Sequence, residues 1–238
     1  MEKTFDETWF HARLNAVGDQ AILPESESIH LQRVLRIRPG RRIVVTNGAG
    51  SVFECDTRSR DGELEIEAST TLLENPEPPR MHLVLSVLKG RELEEPVEGL
   101  TQLPIASIHL VTTDLSQEFK DQDFSRLLER LRLKSMVALK QAKKPWLTAI
   151  HDPVPLKEWR GKNPGTIILT HPGIDRLENL GAETLFLLIG PEGGFSPGEL
   201  EWLMGPEQCR VLGLGTTRIR GTHAPLLACG KLMGLGHF

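Results

Sequence analysis

The sequence predicts an α/β protein in two modules: a small β-barrel, then a larger domain with a mostly parallel sheet covered by helices on both faces. Three observations carry this reading. Short alternating strands and turns fill the first third, a proline-rich stretch follows, and apolar strands then alternate with helical segments. The proline-rich stretch is Glu74-Asn75-Pro76-Glu77-Pro78-Pro79, stiff and polar as a linker should be. The expected division is therefore a barrel over 1–73, a linker over 74–79 and an α/β domain over 80–238. A chain of 238 residues suits one large or two modest domains.

In the first module, Ile43-Val44-Val45-Thr46 is a β-branched run, and Asn47-Gly48-Ala49-Gly50 has the composition of a turn. Ser51-Val52-Phe53-Glu54-Cys55 alternates, and Asp61-Gly62 turns into Glu63-Leu64-Glu65-Ile66-Glu67, whose strict alternation marks a half-exposed strand. One helix interrupts these strands. Ser26 or Ser28 can cap it, Leu31, Val34 and Leu35 share a face, and Pro39-Gly40 ends it. In the second module the apolar strands are 82–88, 107–112, 166–170, 184–189 and 210–214. The helical segments are 93–103, 124–144, 197–204 and 225–234. That alternation implies a mostly parallel sheet.

Composition narrows the function classes. Apolar residues make up 39% and charged residues 25%, enough for a core and too apolar for wholesale disorder. The longest aliphatic or aromatic run, Leu185-Phe186-Leu187-Leu188-Ile189, is far shorter than the roughly twenty residues that cross a bilayer. Acidic residues stand at the N-terminus where a secretion signal carries its apolar stretch. Cys55, Cys209 and Cys229 form no CxxC pair, and the eight histidines show no HExxH spacing, so no metal site is expected. A reducing, cytoplasmic location is expected.

The net charge of −4 is unevenly spread. Residues 29–53 carry Arg33, Arg36, Arg38, Arg41 and Arg42 with no acidic residue. Residues 124–146 carry Arg126, Arg130, Arg132, Lys134, Lys140, Lys143 and Lys144 against Glu129 alone. Two basic islands on an acidic body read as a local phosphate-binding footprint, or as two solvated faces.

The densest chemical signal runs from Leu187 through Gly190-Pro191-Glu192-Gly193-Gly194-Phe195-Ser196-Pro197-Gly198-Glu199. A buried strand enters a glycine-rich loop and then a helix, and ligands of open α/β sheets bind beyond strand carboxyl ends. It holds neither a phosphate-binding G-K-[ST] loop nor a GxGxxG loop. Gly194-Phe195-Ser196-Pro197-Gly198 spells GxSxG, the nucleophile-elbow pattern. However, Ser196 lies seven residues past Ile189, and Pro197 lacks the N–H that an oxyanion hole needs. A capping box of Ser196, Pro197 and Glu199 explains these residues better. A second loop, Leu212-Gly213-Leu214-Gly215-Thr216-Thr217-Arg218-Ile219-Arg220, follows the last strand. The two loops can wall one pocket or be two tight turns. His171, at the end of strand 166–170, is a further candidate for that pocket.

These residues resemble the RsmE family, 16S rRNA uracil-N3 methyltransferases of the SPOUT superfamily. The match rests on Ile189-Gly190-Pro191-Glu192-Gly193-Gly194-Phe195-Ser196 with Leu214-Gly215 and Ile219-Arg220. It rests also on His30-Leu31-x-Arg33-Val34-Leu35-Arg36-x-x-Pro39-Gly40 and Asn47-Gly48-x-Gly50, similar to the family's PUA-like RNA-binding barrel. Lys89-Gly90 and Gln141 fall where the family has Lys and Gln. The resemblance implies a deep trefoil knot in the C-terminal domain, S-adenosylmethionine as cofactor, and a homodimer. It places Leu169, His171, Ile189, Gly190, Gly194, Leu214, Gly215, Ile219 and Arg220 at the cofactor. Arg220 and Gln141 become the catalytic candidates. His30, Arg33, Arg36, Arg38, Lys140, Lys143 and Lys144 become contacts to 16S rRNA or the small ribosomal subunit. Three segments depart from the family pattern: Leu-Arg-Thr-Glu-Thr-Ala becomes Ile219-Arg220-Gly221-Thr222-His223-Ala224, Lys-Ala-Thr-Glu-Leu-Gly becomes Gly99-Leu100-Thr101-Gln102-Leu103-Pro104, and Gln-Ser-x-Arg becomes Gln141-Ala142-Lys143-Lys144. Rival expectations are a 2′-O-ribose methyltransferase, an RNA-binding protein without catalysis, and a serine hydrolase using Ser196.

Overall fold

The computed structural model describes residues 8–29, 40–60, 63–88, 92–119, 123–171, 184–205, 207, 209–217 and 219–235. They form two units, residues 1–78 with Met136–Leu147, and Pro79–Ser135 with Thr148–Phe238.

The first unit is built on a mixed sheet of β1 (Trp9–His11), β2 (Gln20–Ile22), β3 (Arg42–Thr46), β4 (Val52–Arg60) and β5 (Glu63–Leu73), in the order β1-β3-β4-β5-β2. Among the described strands of this sheet, β1 and β3 pair in parallel and the other neighbours antiparallel. Alternation works as period two requires. Ile43, Val45, Phe53, Cys55, Leu64 and Ile66 enter one core with Phe10 and Leu14, while Val44 and Val52 turn to Trp9 on the opposite face. The helix α1 (Glu25–Ile29) starts before the expected caps, and Ser28 sits inside it with Oγ donating to Leu23 O. Residues 30–39, which hold the rest of the expected helix, lie outside the described residues.

The turn at 47–50 docks a segment from much later in the chain. Gly50 N–H donates to Pro145 O at 2.9 Å, Leu147 N–H to Gly48 O at 2.9 Å, and Thr46 Oγ1 to Lys144 O at 3.3 Å. Asn47 Oδ1 accepts from Ala49 and Ser51 N–H at 2.8 and 2.9 Å, closing the turn from within. The domain division is thus not linear along the chain, because Met136–Leu147 folds with the first unit.

The second unit is a six-stranded sheet, parallel throughout. It comprises β6 (Met81–Ser86), β7 (Ile105–Thr112), β8 (Ala149–Pro155), β9 (Thr166–His171), β10 (Leu185–Ile189) and β11 (Arg210–Gly213), in the order β11-β9-β10-β6-β7-β8. The edge strand β8 was not expected: Pro153 and Pro155 and its polar residues hide it, and prolines are tolerated at an edge. Helices cover both faces. α2 (Glu94–Leu100), α3 (Ser125–Gln141) and α6 (Ala224–Gly234) pack through Val97, Leu131 and Leu232 on Leu83, Leu110 and Leu187. α4 (Leu156–Lys162) and α5 (Pro197–Met204) pack through Trp159 and Leu203 on Val84, Leu169 and Leu188. Successive strand residues therefore serve opposite layers, which explains why β10 is apolar along its whole length.

Helix α3 ends three residues sooner than its apolar pattern predicts. Lys143 adopts a left-handed φ of 54°, and Lys144 N–H returns to Leu139 O at 3.0 Å, a helix-closing turn of the Schellman kind.

Candidate functional site

Because all six strands run the same way, their carboxyl ends share one edge of the sheet. At that edge the ends of β9, β10 and β11 are laced together. Thr170 Oγ1 donates to Leu188 O at 3.3 Å, and Leu214 N–H donates to His171 O at 3.1 Å. Between them opens a cleft of about 710 Å³, lined by Thr170, His171, Ile189 to Phe195, Leu200, Leu214, Thr216, Thr217, Ile219, Gly221 and Ala224. Both glycine-rich loops line it.

The local chain explains the shape. After Ile189 the loop turns tightly, with Gly194 N–H donating to Pro191 O at 2.8 Å. Gly194 holds φ at +75°, a conformation that L residues resist, and a Cβ there would meet no atom of the described residues within 4 Å. A Cβ at Gly190 would lie 2.7 Å from Phe195 Cε2, so the absent side chain admits the ring that forms part of the wall. Ser196 then caps α5. Its Oγ accepts from Glu199 N–H at 3.2 Å, its own N–H donates to Glu199 Oε2 at 2.9 Å, and Pro197 takes the first helical position. The capping box is therefore formed, and the hydrolase reading loses its support: Ser196 Oγ is engaged in the helix cap and donates to Asp114 Oδ2 at 2.6 Å rather than to a histidine.

Of the residues expected at a cofactor, His171, Ile189, Gly190, Gly194, Leu214 and Ile219 line this cleft. Gly215 and Arg220 lie in the second loop beside lining residues, Arg220 exposed and with its carbonyl accepting from His223 and Ala224 N–H at the start of α6. Leu169 differs. Its side chain is fully buried between β9 and the α4 and α5 layer, two residues inside the strand, so it supports the cleft floor from within. Sequence reasoning did not single out Glu192, Phe195, Leu200, Thr170, Thr216 or Thr217 as lining residues. Glu192 carried a signal, being the sole carboxylate between Ile189 and Ser196.

Behind this cleft, Leu85, Ser86, Leu93, Ile189, Gly190 and Gly221 enclose a much smaller space. Ser86 Oγ is buried there without a hydrogen-bond partner among the described residues. Deeper in the sheet, His82 Nδ1 and Ser107 Oγ share a hydrogen bond of 2.7 Å, and Ser107 Oγ and His109 Nε2 another of 2.8 Å. His109 stacks on His151 at 4.3 Å. Burial pushes His109 down to about 3, helped by the neighbouring His151 and His82, so this array is held neutral.

The second basic island is not a free cationic face. Arg130 pairs with Glu94 at 2.8 Å, Arg132 with Asp152 at 2.6 Å, Lys134 with Glu98 at 2.5 Å, and Lys140 with Glu27. Lys144 is only 8% exposed, and burial lowers its ammonium to about 8. Of the two lysines expected to grip phosphates, Lys140 is thus paired with a carboxylate and Lys144 is largely buried. Lys143 and Gln141 remain at the surface end of α3, among residues of the first unit, whereas the cleft belongs wholly to the second. His30, Arg33, Arg36, Arg38 and Lys89-Gly90 lie outside the described residues. Arg42, from the first island, pairs with Glu54 at 2.8 Å.

Over residues 75–233 the chain matches the RNA methyltransferase domain, and over residues 23–56 the RNA methyltransferase PUA domain. The chain belongs to the RNA methyltransferase domain family. Among curated relatives, Ribosomal RNA small subunit methyltransferase E of Synechocystis sp. is 24% identical over 216 residues, covering 87% of this chain and 70% of that protein. The protein of the same name from Aquifex aeolicus is 28% identical over 191 residues, covering 78% and 82%. A crystal structure of Ribosomal RNA small subunit methyltransferase E from Neisseria gonorrhoeae bound to S-adenosyl methionine has the same fold. It aligns with a TM-score of 0.80 at 20% identity over 96% of this chain and 98% of that one. In this RNA methyltransferase domain the cleft therefore occupies the strand-end position where an open α/β sheet takes its ligand.

Proposed function

We propose that the chain is an S-adenosylmethionine-dependent rRNA methyltransferase that modifies N3 of a uridine in 16S rRNA. The observation that carries this is the meeting of two distant glycine-rich loops on one cleft at the ends of β9, β10 and β11, within an RNA methyltransferase domain. The names of the relatives, rRNA small subunit methyltransferase E, support the substrate.

The residues present fit the cofactor. A volume of about 710 Å³ lies in the range of small-molecule sites, about 300–1,000 Å³. Ile189, Leu200, Leu214 and Ile219 offer apolar faces, while Gly194 and Gly215 leave their backbone uncovered by any side chain among the described residues. When bound, S-adenosylmethionine supplies an electrophilic sulfonium methyl group. The chain's own contribution is to orient and to handle charge. Uracil N3 must lose its proton before it can accept a methyl, so a cation that stabilises the anion favours the reactive form. Arg220, exposed in the second loop, is read as carrying that charge. Gln141 is read as positioning the base, which must leave its pairing because N3 lies on the Watson–Crick edge.

Residues 1–73 are read as the RNA-holding PUA-like barrel and 80–238 as the methyl-transfer module, with the loops of the cleft forming the trefoil knot. His30, Arg33, Arg36, Arg38 and Lys143 are read as the phosphate contacts. A second copy would cover Leu226, Leu227, Met233 and Leu235, which α6 and its end leave exposed. A role on ribosomal RNA supports a cytoplasmic location. Nucleoside mass spectrometry of rRNA from cells with and without the gene tests the function. On deletion, 3-methyluridine should disappear from 16S rRNA. Loss of a ribose-methylated nucleoside instead would establish the 2′-O reading, and an unchanged profile would overturn the methyltransferase reading.

A further inference from the structure

The cap of α5 has one partner more than a cap needs. Ser196 and Glu199 satisfy each other across the first turn, as any capping box does. Asp114 joins them from a different part of the sheet. Its backbone N–H donates to Glu199 Oε1 at 2.9 Å, and its Oδ2 accepts from Ser196 Oγ at 2.6 Å. With Ser196 N–H on Glu199 Oε2 and Glu199 N–H on Ser196 Oγ, the three residues close a ring of four hydrogen bonds. Glu199 is 4% exposed, and both of its carboxylate oxygens accept a hydrogen bond inside the protein.

The ring spans strands that do not touch. Asp114 follows β7, the glycine-rich loop follows β10, and β6 lies between them in the sheet. The segment carrying Asp114 is itself held in shape: Ser116 Oγ donates to Thr113 O at 3.0 Å and accepts from Thr113 N–H at 2.5 Å. Leu115, although half exposed, lies against the loop, 3.5 Å from where a Cβ on Gly193 would be. A loop with glycines at 190, 193 and 194 has little of its own to fix its conformation, since glycine loses more freedom on ordering than any other residue. A brace from outside supplies what the loop lacks.

We propose that Asp114 is a positioning residue for the cofactor loop: by receiving the Ser196 hydroxyl and donating to Glu199, it holds residues 190–196 in the shape that forms the cleft wall. The proposal rests on the reading of that cleft as the S-adenosylmethionine site, and two readouts separate it from that reading. The first is amide hydrogen exchange of the ligand-free full-length chain. Asp114→Ala loses one hydrogen bond involving a charged group, so exchange at Gly193 and Gly194 rises about tenfold, while the amides of β6 and β10 keep their protection. The second is calorimetric titration with S-adenosylmethionine. Asp114→Ala weakens binding about tenfold, and Asp114→Asn, which keeps an oxygen to accept from Ser196, restores it to within about threefold of wild type. Unchanged exchange at Gly193 and Gly194 in Asp114→Ala overturns the proposal. So does an Asp114→Ala chain that fails to fold, because Asp114 would then support the whole unit. Faster exchange in a protein whose wild type binds no S-adenosylmethionine leaves the brace standing and removes the cofactor reading.

Discussion

Two glycine-rich turns, 47–50 in the first unit and 190–194 in the second, follow buried strands and look alike as strings of letters, yet they do opposite things with the space their glycines leave. At the first, the chain fills it. A Cβ at Gly50 would lie 2.5 Å from Trp146 Cζ2, and one at Gly48 would lie 3.2 Å from Leu147 Cβ. Asn47, Thr46, Pro145 and Leu147 take up the hydrogen bonds. At the second, Phe195 of the same loop covers Gly190 and Leu115 touches Gly193, but a Cβ at Gly194 would meet nothing within 4 Å among the described residues. The same holds for Gly215 across the cleft. Glycine content marks a close approach; whether the approach is made by the chain or left for a ligand is decided by what the rest of the fold puts there.

The contrast breaks first at Gly50. Gly50→Ala adds a methyl into Trp146 at a φ of +101°, combining backbone strain with overpacking. It should lower stability by about 3 kcal/mol in urea unfolding while leaving S-adenosylmethionine affinity at the wild-type value. Next comes acid. His109 is buried and neutral, lowered to about 3 by desolvation first and by His151 and His82 after it, whereas the unfolded chain protonates near an ordinary value of about 6.5. Its contribution is complete above that unfolded value and is lost as pH falls toward the folded one. At about pH 5 the second unit should be weakened by roughly 2 kcal/mol relative to neutral pH, and His109→Gln should flatten the pH dependence of urea unfolding.

Gly194→Ala should reverse the pattern seen at Gly50. The strain is about 1–2 kcal/mol and falls on a wall of the cleft, so calorimetry should show S-adenosylmethionine affinity falling about tenfold. Smallest is Lys140→Ala. Because Lys140 is already paired with Glu27, the salt dependence of RNA binding should stay within error of wild type. Arg33→Ala with Arg36→Ala should flatten it, since every phosphate deprived of its cation lowers the slope by about one.

Much of the sheet was legible because burial on both faces demands long apolar runs, and β6, β7, β9, β10 and β11 supply them. β8 was not, since an edge strand needs no such run and Ala149–Pro155 reads as a loop. The strand-loop-helix order around Gly190 and Gly194 made half the site visible, and Leu214 and Ile219 the other half. What stayed hidden depended on residues far apart in sequence. The charge of α3 was counted correctly, but sign along a chain does not show that Glu94, Glu98, Asp152 and Glu27 come to meet it. Asp114 is hidden for the same reason: it reaches Ser196 across 82 positions of sequence, and no local pattern announces the meeting.

In the proposed site the loops bearing Gly194 and Gly215 close on one methyl donor, whereas the turn bearing Gly48 and Gly50 is full. Titration of the nitrogen-15-labelled chain with S-adenosylmethionine, followed by backbone amide resonances, tests it directly. Gly190, Gly194 and Gly215 should shift together along one saturation curve while Gly48 and Gly50 stay in place. Shifts at only one of the two loops, or none at either, would contradict it.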